Sequence, residues 1–129
     1  MKLLIGKSKQ AVALESSMAN RHGIISGATG TGKTVTLQVL AERFSEIGVP
    51  VFLADIKGDV SGIAKPGTLT PKLQERIETY HVAMPVFTGF PVQFWDVLGK
   101  KGHPIRATIA DMGPILLARL LNLSEVQSA

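Results

Sequence analysis

Apolar and polar positions along the chain fall into blocks whose period changes. Residues 10–15 (QAVALE) read as a short strand, and SSMAN behind them as a polar connection. HGIIS, at 22–26, is a short apolar run bounded by turn formers, which predicts a buried strand. Glycines 27, 30 and 32 then make a loop. From Lys33 the pattern changes: Val35, Leu37, Val39, Leu40, Phe44 and Ile47 recur at roughly helical spacing. Gly48 stands where a helix would end, and Pro50 follows at the usual remove. VPVFLAD, at 49–55, is a second apolar run ending in an acid. Strand, glycine loop, helix and strand in that order make one βαβ unit, and the expectation is a parallel sheet with a right-handed crossover.

Beyond it, IKGDVSGIAKPG reads as a long loop. Thr70 is placed to cap a helix with Pro71 in its first position, running through about Tyr80. HVAMPVFT and FPVQFWDVLG suggest two strands around Gly89, and Pro85 and Pro91 put them at an edge or on bulges. KKGHPIRATIADMGP predicts a turn and a short helix. ILLARLLNL, at 115–123, is apolar nearly all round, so burial is expected. Ser124 and Glu125 look like the opening of one more helix.

Composition narrows the class without naming a function. Apolar residues make up 45% of 129, with a mean hydropathy of +0.23, as in a folded globular chain. The formal charge of +4 is spread along the chain, with Lys2, Lys7 and Lys9 early and Lys100 and Lys101 late. It permits contact with polyanions and does not demand it. With no cysteine, disulfides, thiolate metal sites and cysteine nucleophiles are excluded. The start, MKLLIGKSKQ, is too short in apolar residues for a signal peptide, and no run approaches a membrane span. The expected setting is soluble and cytoplasmic, with no membrane partner.

Candidate chemistry centres on the loop. Gly27, Ala28, Thr29, Gly30, Thr31, Gly32, Lys33 and Thr34 match the spacing G-x-x-x-x-G-K-T of a phosphate-binding P-loop. Successive main-chain N–H groups must turn inward to surround a phosphate, and a Cβ would obstruct some of those turns. The helix that follows adds the positive end of its dipole. In this reading Lys33 reaches the β- and γ-phosphates and Thr34 offers a hydroxyl to Mg²⁺, whichever nucleotide carries them. Val35 completes the expected cofactor-binding set. Asp55, at the end of the second apolar run, is the candidate catalytic acid beside Lys33, approaching the metal through water; otherwise it orders the loop behind it. Asp59 is read as a solvated loop acid, with a nucleotide role by the same geometric rule as its alternative. His22 is read as a packed or edge histidine over one approaching a base, and Trp95 as core over one stacking a nucleotide. His81 and His103 share no metal-ligand spacing. Arg106 and Arg119 fit either a phosphate sensor, a finger reaching a neighbouring subunit, or surface salt links.

Three stretches carry a resemblance beyond the loop: MANRHGIISGATGTGKTVTLQVLAERF, GVPVFLADIKGDVSGIA and PVQFWDVLGKKGHPIRATIADMGPILLARLLNL. Together, from about Met18 to about Gln127, they resemble a bacterial family of predicted ATPases in the HerA-like branch of the HerA/FtsK P-loop motor group. The resemblance implies an α/β RecA-like P-loop NTPase, a mostly parallel sheet flanked by helices. It implies ring-forming assemblies of identical subunits that move DNA. It places DIKGD on the second strand and the family's Walker B acids beyond this chain. Residues 1–17 are then a short strand and connection, and 18–129 the N-terminal part of an incomplete NTPase domain that ends before Walker B. Such an ending should leave a bare sheet edge and exposed apolar surface around ILLARLLNL, favouring association. Two other classes remain open: a nucleotide-binding module without catalysis, and a GTPase or small-molecule kinase, although no guanine-reading N-K-x-D occurs.

Overall fold

The computed structural model describes residues 1–128 and divides into two units, 1–92 and 93–129. Unit 1 opens with an antiparallel hairpin of β1 (Lys2–Lys7) and β2 (Ala11–Glu15). Lys2 faces Glu15 across the ladder, Leu3 faces Leu14, and a bulge between Leu4 and Gly6 shifts the register. The terminal ammonium of Met1 pairs with the Glu15 carboxylate and closes the open end.

Helix α1 (Lys33–Glu46) packs beside β1. Leu37, Leu40, Ala41 and Phe44 share one face, and Ala41 is buried. Arg43 donates from Nε to the Leu4 carbonyl at 3.3 Å and forks onto Glu46. Burial pushes the Glu42 carboxyl up, against the opposing pull of Arg43, with Glu46 adding to the rise. Gly48 follows the helix end at φ 77°, and the Val49 amide bonds back to Phe44. Among the described residues the buried apolar ones are Leu3 on β1, Ala41 on α1 and Val60 in the 56–64 segment, all in unit 1.

Helix α2 (Pro71–Tyr80) begins as its sequence requires. Thr70 accepts from the Leu73 amide at 3.2 Å and Pro71 occupies the first turn. It ends at His81 in a left-handed conformation, whose carbonyl accepts from Lys7 Nζ at 2.6 Å. Unit 2 holds a minimal parallel pair, β3 (Trp95–Asp96) with β4 (His103–Pro104). The Asp96 carboxylate accepts from the amides of Leu98, Lys100 and Lys101 and so shapes the turn between them. Helix α3 (Ile109–Leu120) starts with a reciprocal capping box between Thr108 and Asp111. It bends at Gly113 (φ 67°, ψ 170°) before Pro114, and α4 (Glu125–Ser128) follows.

The architecture is α/β, and it corrects several expectations. Among the described residues, the runs 22–26 and 49–55 take part in no β-ladder, so the parallel βαβ sheet is not formed. Ile24 is 90% exposed and Phe52 86%. A strand exists only with a partner for its N–H and C=O groups, and the longer ladder here is the antiparallel hairpin. Of the segments 81–88 and 90–99, only Trp95–Asp96 pairs. Trp95 is 57% exposed, so it does not fill core. Leu116 and Leu120 of the stretch expected to be buried are open to solvent, because an all-round apolar helix needs partners on every side. The anticipated apolar exposure around that stretch is what the structure shows.

Candidate functional site

The loop before α1 is built from glycines in conformations that other residues rarely adopt. Gly30 lies at φ 80° and Gly32 at φ 95°, ψ 19°. Gly32 sits in the N-cap position, and the left-handed turn there redirects the chain into the helix. Its carbonyl accepts from the Thr36 amide at 2.9 Å and from the Thr36 hydroxyl at 3.0 Å. A Cβ on Gly27 would stand 2.6 Å from Thr31 Oγ1. That hydroxyl donates to the Ala28 carbonyl at 2.8 Å, a bond that closes the turn across residues 28–31.

Lys33 curls back over the loop. Its ammonium donates to the carbonyls of Gly27 at 2.8 Å and Ala28 at 2.6 Å. The helices differ in how they begin. Thr70 and Thr108 cap α2 and α3, whereas no side chain caps α1. The first-turn amides of Lys33, Thr34 and Val35 are therefore left without an intrahelical or capping partner.

Thr34 does not meet Asp55. Its hydroxyl donates to Asp59 Oδ2 at 3.2 Å. Asp55 instead turns its carboxylate onto its own loop, accepting from Gly58 N at 2.8 Å and Val60 N at 3.2 Å. Gln38, one helical turn beyond Thr34, donates to the Asp59 main-chain carbonyl at 3.1 Å. Thus the structure gathers Gly27 through Val35 with Asp59 and Gln38, and gives Asp55 a loop-ordering bond set. The sequence reads Asp59 as a loop acid with a nucleotide role as the alternative, and no motif singles out Gln38. Neither has a local signal, since each contact bridges more than twenty residues of chain. His81 caps α2, and His103 lies with Trp95 in unit 2, ring centroids 5.9 Å apart.

The chain is α/β, with a glycine loop that feeds its longest helix. The comparison with protein families carries this further. The model of the helicase HerA-like C-terminal region matches residues 1–129, and the chain belongs to that family. The matched region is described as C-terminal, which corrects the placement of the resemblance at the N-terminal end of such proteins. The chain is also similar to the DNA double-strand break repair helicase HerA of Saccharolobus solfataricus, 40% identical over 72 residues. That match covers 54% of this chain and 14% of the relative. No solved structure matches. Among the described residues, no helix is long and apolar enough to cross a membrane.

Proposed function

We propose that the loop 27–34 is a P-loop that binds ATP with Mg²⁺, and that the chain is part of a RecA-like, HerA-type ATPase acting on DNA in the cytoplasm. One observation carries the reading: Lys33 and the uncapped first turn of α1 converge on a loop whose glycines already hold left-handed turns. Main-chain amides of Gly30 through Val35 surround the phosphates, the helix end favours their charge, and the Lys33 ammonium exchanges its carbonyl partners for phosphate oxygens. The donors beside Lys33 are a hydroxyl and a carboxylate, hard oxygen ligands suited to Mg²⁺. Thr34 is the residue that would hold the ion, which when bound neutralises charge on the phosphates. The relative's name supports a DNA-directed role for the intact protein, and the ring of identical subunits follows from the family resemblance.

A second reading is favoured by the engagement of Asp55. Both Asp55 oxygens accept from its own loop, at Gly58 and Val60, which favours a loop-ordering acid and hence a nucleotide-binding module without catalysis. Calorimetric titration of the chain with ATP and Mg²⁺ tests the shared core of both. Lys33→Ala should weaken binding by about tenfold or more, the loss of one charge-assisted contact. Equal affinity in the variant would refute phosphate binding at this loop; measuring turnover on the same sample separates catalyst from module.

A further inference from the structure

We propose that Asp59 is a positioning residue for the magnesium side of this site, acting through Thr34. The inference rests on the ATP-binding reading above and assigns the acid that reading left open. The Thr34 hydroxyl donates its proton to Asp59 Oδ2 at 3.2 Å, which leaves the lone pairs of the hydroxyl oxygen available to a cation. Among the described residues the other Asp59 oxygen makes no hydrogen bond, so it can accept from a water of the metal's shell.

The position of Asp59 is held from three directions. Gln38 fixes its carbonyl to the same face of α1 that carries Thr34. On either side, Gly58 and Val60 are tied to the Asp55 carboxylate, and Val60 is itself buried. Asp55 therefore builds the loop, and Asp59 is the acid that this loop delivers to α1. The order reverses what the chain suggests, where Asp55 ends an apolar run and Asp59 lies among glycines and serine.

Binding of a fluorescent ATP analogue, measured with Mg²⁺ and again with EDTA, provides the test. A residue that only supports the fold lowers both affinities alike, whereas Asp59 should govern their ratio. In Asp59→Ala and in Thr34→Ala the enhancement by Mg²⁺ should fall about tenfold, the size of one hydrogen bond to a charged group. The double variant should fall no further than either single one, since the two residues act as a unit. Asp59→Glu should recover part of the ratio. An unchanged ratio in Asp59→Ala, or losses that add in the double variant, would overturn the assignment while leaving ATP binding intact. A wild-type chain that binds the analogue in neither buffer would remove the ATP-binding reading itself, and this assignment with it.

Discussion

Replacing Gly32 by alanine tests whether the loop is set before any ligand arrives. Gly32 holds φ 95°, ψ 19°, and a Cβ built on it meets nothing within 4 Å. The cost is therefore conformational and not steric crowding. Holding a left-handed alanine costs about 1–3 kcal/mol. The chain can escape only by turning the peptide, which breaks the two bonds from Thr36 to the Gly32 carbonyl. At about 0.5–1.5 kcal/mol each, that escape is no cheaper. Alanine also restricts the unfolded chain, which returns about 0.4–1 kcal/mol. The net loss centres on about 1.3 kcal/mol, and with a urea slope of about 2 kcal/mol per molar the midpoint should drop by about 0.6–0.7 M. Circular dichroism at 222 nm against urea reads it. A D-alanine at the same position should restore the midpoint, and Gly62→Ala, in a right-handed turn with open space around its Cβ, should raise it slightly. A Gly32→Ala midpoint equal to or above the parent would refute the strained-loop argument.

Thr70→Ala should destabilise α2 by about 1 kcal/mol, because the Leu73 amide loses its side-chain acceptor; a urea titration checks this, and an unshifted midpoint would mean that Pro71 alone sets the helix start. In unit 2, the amides of Lys101, Leu98 and Lys100 hold the Asp96 carboxyl below its ordinary range, and the Thr108 hydroxyl and amide do the same for Asp111. Their stabilising contribution is complete above the unfolded carboxyl value of about 3.9 and is lost as pH falls through the lower folded values. Trp95 fluorescence, from the single tryptophan in the chain, should follow that loss, and Asp96→Asn should flatten the acid limb.

How much was readable in advance depended on the range of the interaction. The starts of α1 and α2 were legible because a loop glycine, a capping threonine and a first-turn proline act within four residues. β2 appeared within the 10–15 stretch read as a short strand, while Lys2, Gly6 and Lys7 disguised β1. The runs 22–26 and 49–55 have strand-like composition, but composition cannot supply a ladder partner. The loop's residues could be named from spacing alone. Asp59 could not, because its link to Thr34 joins two segments 25 residues apart, and nothing near either one marks it.

The grip of Lys33 on the Gly27 and Ala28 carbonyls has a consequence for selectivity. The charge is not displayed bare: it carries its own internal competitor, tethered and always at hand. A small monovalent anion offers one contact in exchange for two and gains little. A polyphosphate brings several oxygens at once and can also engage the amides of the helix start. If the loop binds phosphate as proposed, it would rank anions by how many points they grasp, before any group reads a base or a sugar.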